Sequence, residues 1–211
     1  MIGIDHRARV AAFDVDGTIT RHDCVVPFLR RVAGTATLGW RLSATAPSVV
    51  TMLARRDRNG LKAAAAAAAF AGQPLARIDA LAEDFARSVH ATGLRQDTVD
   101  LLDAHRRRGD TVLLVSASFE VYLRPLAELL GADDVLAARL EVRPDGTLTG
   151  RLSGANCRGP EKVRRLHEWL DEHAGGRAEV HLTAYGDSAG DRELLADADE
   201  ARWVGRGAMP R

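Results

Sequence analysis

The fold of this chain is decided by the stretch VAAFDVDGT at residues 10–18. Its first four residues are apolar, and such a run is typical of a strand that is buried on both faces of a parallel sheet. Two carboxylates, Asp14 and Asp16, follow the run, and Gly17 and Thr18 come next. Because open α/β sheets bind ligands at the carboxyl ends of their strands, both acids are predicted to project into a site.

Three further segments carry polar groups at comparable places. A second apolar strand, predicted at 111–115, leads into the sequence SAS at 116–118, and a third predicted strand at 180–185 leads into GDSAGD at 186–191. Between these two segments, Lys162 lies at the start of a predicted helix. Since parallel strands end at one edge of their sheet, these groups are expected to lie near the two carboxylates of the first strand.

The chain divides into three parts by pattern. Residues 1–20 contain the first strand and its acidic loop, and residues 21–92 are almost wholly helical, with seven consecutive alanines at 63–69. From residue 93 to residue 211, helix and strand alternate, with a hairpin signal at 144–146. This alternation predicts an α/β fold with a doubly wound parallel sheet.

Composition limits the possible functions. The chain has 211 residues, enough for one substantial core or for a core with a small cap. Its formal net charge is zero and only 5% of its residues are aromatic, so a nucleic-acid partner is not expected. The two cysteines, Cys24 and Cys157, are far apart and form no CxxC pattern, which indicates neither a zinc site nor a disulfide framework.

One uncharged segment raises the question of membrane insertion. Residues 42–54 carry no charge, but they include Pro47 and number only 13, whereas a spanning helix needs about 20 apolar residues. We therefore expect a packed helix and no stable membrane insertion; contact of an apolar surface with a lipid-like substrate stays a weaker alternative. The first residues, 1–7, lack the apolar region of a signal peptide, so a cytoplasmic location is expected.

Taken in this order, the four polar segments resemble those of the haloacid dehalogenase (HAD) superfamily, in particular its phosphoserine-phosphatase-like branch, subfamily IB. The resemblance extends from Val10 to about Val204. It implies a Rossmann-like HAD core formed by residues 1–20 and 93–211, with a small helical cap of type C1 formed by residues 21–92. It also implies a Mg²⁺-dependent phosphatase that hydrolyses a small-molecule phosphate monoester through an aspartyl-phosphate intermediate.

The chemistry of a phosphate monoester suits these acids. Such an ester carries about two negative charges, so an anionic nucleophile needs a cation to approach it. Mg²⁺ binds one or two carboxylates, and Asp14 and Asp187 are predicted to supply them. The resemblance adds Asp16, through its backbone carbonyl, and Asp191 to the metal site. With the metal bound, Asp14 is the expected nucleophile.

Asp16 separates two reactions that occur in this superfamily. An alkoxide leaves poorly unless it is protonated, so a general acid beside the nucleophile is needed to cleave an alkyl ester. Halide needs no proton, and members of the superfamily that expel halide resemble this chain elsewhere but lack the second acid. Asp16 therefore favours cleavage of a phosphate ester over expulsion of a halide.

Other residues suit the binding of phosphate. Ser116 is predicted to donate its hydroxyl to a phosphate oxygen, with the backbone at Ala117 assisting, although a serine here could instead cap the next helix. Lys162 is expected to neutralise phosphate and to hold the nucleophile. A lysine in a first helical turn is disfavoured by the helix dipole, which supports a functional role. Asp191 could cap a helix or orient Lys162 and metal-bound water; the resemblance favours the second role.

The substrate is less well indicated. Asp23 has the spacing at which phosphoserine phosphatases carry a Glu that reads the substrate amine. Arg55, Arg56, Arg58 or Lys62 could read the substrate carboxylate. Each of these residues is about equally well explained as a solvated charge. Gly190 stands where similar phosphoserine phosphatases carry Asn, which removes an amide from the phosphate site and argues against L-phosphoserine.

Two other functions use similar residues. A phosphomutase or phosphotransferase would use the same acids to move phosphate between hydroxyls. A non-catalytic phospho-acceptor domain would also combine Asp, Ser or Thr, and Lys on a parallel sheet. Such domains are shorter and place the acceptor on a strand in mid-chain, whereas Asp14 follows the first strand, so this alternative is disfavoured.

Overall fold

A parallel five-stranded sheet forms the centre of the protein in the computed structural model, which describes residues 7–35, 58–205 and 207. The strand order is β3-β2-β1-β6-β7, and all four neighbouring pairs are parallel. The predicted α/β class with a parallel sheet is therefore confirmed. The strands are β1 (Ala8–Phe13), β2 (Thr111–Phe119), β3 (Asp134–Ala138), β6 (Val180–Gly186) and β7 (Glu200–Trp203).

Helices cover both faces of this sheet, as a doubly wound fold requires. The described α-helices are α1 (Val25–Ala33), α2 (Arg58–Phe70), α3 (Leu75–Thr92), α4 (Gln96–Arg108), α5 (Glu120–Leu130), α6 (Pro160–His173) and α7 (Arg192–Asp197). Residues of β1 enter two separate apolar cores: Phe13 packs with α4 and α5 on one face, and Val10 packs with α6 and α7 on the other.

Helices α1, α2 and α3 fall between β1 and β2 in the chain, within residues 21–92. Their aromatic side chains pack against those of β2 and α5: Phe28 lies 4.8 Å from Tyr122, and Phe70 lies 5.0 Å from Phe119, between ring centroids. The division into a core and a cap at residues 20 and 93 stays a prediction. The helix expected at residues 40–56 and the candidate Arg56 lie outside the described residues.

The predicted hairpin is present and packs on the alanine-rich helix. Strands β4 (Leu140–Val142) and β5 (Leu148–Leu152) pair antiparallel. Gly150 has a φ of +85°, and a β-carbon there would lie 3.0 Å from the Cα of Ala67. Small side chains on both elements therefore allow their backbones to approach closely, which is a structural role for the alanine run.

Two details differ from the sequence prediction. Strand β2 continues through Phe119 rather than ending at Val115. The sequence pattern does not predict strand β3, because its alanines and single aspartate carry no clear alternation. Helix α5 begins at Glu120, and Pro125 lies inside it. Among the described residues, no helix is both long and apolar enough to cross a bilayer.

A buried polar network holds α4 against β6. Nδ1 of His105 lies 2.7 Å from Oδ2 of Asp110, and Nε2 lies 2.8 Å from the hydroxyl of Tyr185. The ring of Tyr185 is stacked on Phe13, with centroids 4.2 Å apart. Burial lowers the pKa of His105, although Asp110 acts in the opposite direction.

We expect Tyr185→Phe to lower the free energy of unfolding by about 1–2 kcal/mol, since it leaves a buried ring nitrogen without its partner. The matched control is Tyr122→Phe, because the buried hydroxyl of Tyr122 has no hydrogen-bond partner in the described part of the chain. The control should be neutral or stabilising. Urea unfolding of both variants measures the difference, and equal losses would contradict the assigned role of the His105 contact.

Candidate active site

A cavity of about 700 Å³ opens at the carboxyl ends of β1, β2 and β6. Its floor is formed by polar groups from the sheet loops and from the start of α6, and its opposite wall comes from α1 and α2. All the predicted site residues whose side chains the structure describes lie on this cavity. They are Asp14, Asp16, Asp23, Lys62, Ser116, Ala117, Lys162, Asp187 and Asp191.

Lys162 connects two of the acids. It lies in the first turn of α6, and its Nζ donates to Oδ1 of Asp14 and to Oδ1 of Asp191, both at 2.6 Å. The side chain is only 2% exposed. Burial opposes the charged amine, but the two carboxylates outweigh it and raise the pKa of Lys162. The lysine therefore stays protonated and fixes the position of Asp14.

The acids around this lysine differ in their ionisation. Burial raises the pKa of Asp14 to about 7 despite the opposing effect of Lys162, and burial also raises the pKa of Asp187. Burial acts on Asp191 in the same direction, but Lys162 and the hydrogen bonds from Ser188 outweigh it and lower its pKa. Asp14 and Asp187 thus lie where additional positive charge would stabilise their ionised forms.

Gly17 leaves the space that Asp187 occupies. A β-carbon at Gly17 would lie 2.2 Å from Oδ2 of Asp187, and the residue has a φ of +85°, which favours glycine. Thr18, next in the chain, donates its hydroxyl to Oδ1 of Asp187 at 3.3 Å. Besides Asp16, the first motif therefore contributes the space and the hydrogen bond that position the side chain of Asp187.

Asp14, Asp187 and Asp191 could hold a divalent cation. One oxygen from each carboxylate lies within 4.8 Å of the others. Opposite ligands of Mg²⁺ are about 4 Å apart, because each lies about 2.0–2.1 Å from the ion. The three carboxylates and the single ammonium of Lys162 leave two uncompensated negative charges, which a divalent ion balances. These residues fit Mg²⁺.

Asp191 already has several hydrogen-bond partners besides Lys162. Its Oδ2 accepts from the hydroxyl of Ser188 at 2.8 Å and from the backbone amides of Ser188 and Asp187. Ser188 forms a capping box with Asp191 at the start of the short helical turn 189–191. Asp191 is therefore placed to orient Lys162 and the metal loop.

Asp16 is held apart from this cluster. Its Oδ1 accepts from the backbone amide of Cys24 at 2.8 Å, and its Oδ2 accepts a short hydrogen bond from the hydroxyl of Ser118. Burial raises its pKa, against the opposing effect of the Ser118 hydrogen bond. Its side chain does not join the carboxylate cluster of the described residues, so only its backbone carbonyl stays a candidate metal ligand. A carboxyl held this way is suited to proton transfer.

An irregularity in β2 places the two serines of the second motif. Pairing with β3 shifts between Val115 and Phe119, so four steps along β2 match only two along its neighbour. Such bulges redirect side chains next to active sites. Ser116 is buried on the cavity floor, and its Oγ accepts from the amide of Ser118 at 3.1 Å. The direct contact of Ser118 with the general-acid candidate was not anticipated from sequence.

The substrate-reading candidates have structural contacts of their own. Oδ1 of Asp23 accepts from the backbone amides of Val25 and Val26 at the start of α1. Lys62 donates to the carbonyl of Ala117 and to Oδ1 of Asn156, and burial lowers its pKa to about 8. Lys62 therefore joins α2 to the sheet loops.

Comparison with known proteins agrees with this architecture. Residues 11–196 match the model of the haloacid dehalogenase-like hydrolase family. Protein CicA of Caulobacter vibrioides is 38% identical over 92% of this chain and 85% of its own length. A protein of Mycobacterium tuberculosis named as a probable phosphatase is 29% identical over 96% of this chain and 71% of its own length.

The fold is also similar to that of solved proteins. A phosphoserine phosphatase, solved as an analogue of its phospho-aspartyl intermediate, superposes with a TM-score of 0.60 at 19% identity, covering 91% of this chain and 84% of that one. The chain belongs to the haloacid dehalogenase-like hydrolase family, and its fold is similar to that of a solved phosphoserine phosphatase.

Proposed function

We propose that this protein is a Mg²⁺-dependent phosphatase that hydrolyses a small-molecule phosphate monoester through an aspartyl-phosphate intermediate. The observation that carries the proposal is that Asp14 and Asp16, two positions apart in the same loop, have different hydrogen-bond partners. Asp14 is bound to Lys162 beside two further carboxylates, whereas Asp16 is bound to neutral donors. One is suited to attack and metal binding, and the other to proton transfer.

Four residues of the chain have distinct roles in the proposed reaction. A carboxylate oxygen of Asp14 attacks phosphorus, and the bond from phosphorus to the ester oxygen breaks. Asp16 gives its proton to that departing oxygen and later takes a proton from water, which attacks the phosphoryl group and restores the Asp14 carboxylate. Lys162 holds Asp14, and Ser116 donates to a phosphate oxygen.

Mg²⁺ would be held by Asp14 and Asp187, with the backbone carbonyl of Asp16, while Asp191 orients the loop. When it is bound, the ion supplies positive charge that lowers the repulsion between the phosphate and the attacking carboxylate. The unbalanced charge of the carboxylate cluster supports this assignment.

The side chains that α1 and α2 contribute to the cavity are mostly apolar, which indicates what kind of leaving group the cavity accepts. Val25, Val26 and Leu29 come from α1, and Leu61 and Ala65 come from α2. A leaving group with hydrocarbon surface would pack there. A screen of phosphorylated metabolites, including phosphoserine, histidinol phosphate, sugar phosphates and lipid headgroup phosphates, identifies the ester.

We expect the purified protein to release phosphate from an aryl phosphate in the presence of Mg²⁺. A chelator should abolish this release, since two buried negative charges would then face the phosphate without a balancing ion. Added Mg²⁺ should restore it. The measurement is free phosphate against time, with product isomers followed in parallel; isomer formation without phosphate release would favour a phosphomutase. Full turnover in the chelator would contradict the metal requirement.

A further inference from the structure

A guanidinium occupies the space that glycine leaves at position 190. A β-carbon built on Gly190 would lie 2.4 Å from Nη1 of Arg158 and 2.8 Å from its Cζ. Any larger residue at position 190 would therefore push the Arg158 side chain aside. Gly190 itself lies one residue before Asp191, in the loop that also carries Asp187.

Arg158 differs from the other cations of the cavity. Four cationic side chains line its described part, and three of them have hydrogen-bond acceptors within the protein. Lys162 is bound to two carboxylates, Lys62 to Ala117 and Asn156, and Arg21 to the carbonyl of Leu94. The half-buried guanidinium of Arg158 forms no hydrogen bond or ion pair with any described residue.

The loop around Arg158 is itself well ordered by hydrogen bonds. The amide of Arg158 donates to the carbonyl of Asn156 at 2.7 Å, and the amide of Gly159 donates to the carbonyl of Gly190 at 3.0 Å. These bonds join the segment before α6 to the loop of the carboxylates. The guanidinium is thus held on a fixed backbone, with five donors available to a ligand.

The position of Arg158 favours the phosphate over the leaving group. Its guanidinium packs on Gly190, the residue before Asp191 in the carboxylate loop, and Arg158 lines the same cavity as Lys162 and Asp191. The charge of Lys162 is already shared by two carboxylates, so a phosphate dianion arriving there needs another cation. A guanidinium matches phosphate oxygens in a planar, two-pronged arrangement.

We propose that Arg158 is a phosphate-binding residue of this site, in the space made available by Gly190. The proposal rests on the proposed function, because the ligand it names is the phosphoryl group of the substrate. In this role Arg158 donates hydrogen bonds to phosphate oxygens, whereas Gly190 has no side chain that could donate. The ester substrate and the free phosphate product both carry such anionic oxygens, so either can be the ligand.

The first test is Arg158→Gln, which removes the charge and keeps a polar side chain. We expect kcat/KM for phosphate release to fall about 10- to 100-fold, the usual effect of losing a hydrogen bond to a charged group. The inhibition constant of inorganic phosphate should rise in parallel. Arg158→Lys should lose less, since it keeps the charge without the planar fork. The control is Arg107→Gln, an exposed arginine on α4, which should match the wild type.

The second test uses the glycine. Gly190→Ala should displace the guanidinium and lower kcat/KM in the same direction as Arg158→Gln, while thermal unfolding stays unchanged, because the end of a flexible side chain can move. In the Arg158→Gln background, the same change should add less than about a twofold loss, since both variants remove one interaction. Fully multiplicative losses would overturn the coupling between the two residues.

Failure of this inference can be told from failure of the proposed function. If the wild type releases no phosphate, the phosphatase proposal fails. Binding of inorganic phosphate with Mg²⁺, measured by calorimetry, still tests Arg158. Unchanged phosphate affinity in Arg158→Gln would overturn the inference. A loss confined to esters with a second anionic group, with unchanged inhibition by phosphate, would assign Arg158 to the leaving group and overturn it also.

Discussion

Asp14→Asn is expected to lower phosphate release by at least about 10⁴-fold, the largest effect of any single substitution in this protein. The amide cannot form the bond to phosphorus that the carboxylate forms. The change is close to isosteric, and Lys162 keeps its contact with Asp191, so the lysine is not left without a partner. Turnover of an aryl phosphate in Mg²⁺ measures the loss.

Two measurements separate chemistry from folding for this variant. Asp103→Asn, a half-buried carboxylate on α4 that pairs with Arg106 outside the cavity, is the matched control and should retain full activity. Acid quenching of the wild type during turnover should leave phosphoryl label on the protein, and the Asp14→Asn protein should carry none. Full turnover by Asp14→Asn, or equal labelling of the two proteins, would remove the nucleophile assignment.

Asp16→Asn is expected to have the second-largest effect, and its size should depend on the substrate. An alkyl phosphate, whose leaving oxygen needs a proton, should lose about 10²- to 10⁴-fold in turnover. A nitrophenyl phosphate should lose clearly less, because nitrophenolate leaves without protonation. Burial raises the pKa of Asp16, the direction that favours the protonated acid needed for this step.

The comparison of the two esters is the measurement that matters for Asp16. Asp103→Asn again serves as the control and should leave both rates unchanged. If Asp16→Asn slowed both esters equally, the general-acid role would be lost, and Asp16 would instead be needed for the shape of the loop. Its contacts with Cys24 and Ser118 make that second outcome measurable as a fall in thermal stability.

The central architecture follows from local sequence. The apolar run before Asp14 predicts a strand buried on both sides, and the structure places it in the middle of the sheet. The alternation after residue 93 predicts a parallel sheet, and all its described pairs are parallel. The signal at 144–146 predicts a hairpin, which is present. Each of these features depends on residues close together in the chain.

Other features were decided by packing between distant segments. The bulge of β2 depends on where β3 pairs with it, and the sequence of residues 116–118 does not predict that shift in pairing. The hydrogen bond from Ser118 to Asp16 follows from this bulge and joins residues 102 positions apart. Strand β3 itself is stabilised by its neighbour rather than by its own pattern, which is why sequence did not identify it.

The residue types at the strand ends are evident from the sequence, and they predict that carboxylates, a serine and a lysine meet at one edge of a parallel sheet. Which of these groups are in contact depends on the fold: Lys162 contacts Asp14 and Asp191, and Arg158 occupies the space beside Gly190. The two kinds of information differ in range. Hydrophobic periodicity acts over a few residues, whereas the distance between two side chains in a site depends on strand order, bulges and the volume each neighbour leaves free.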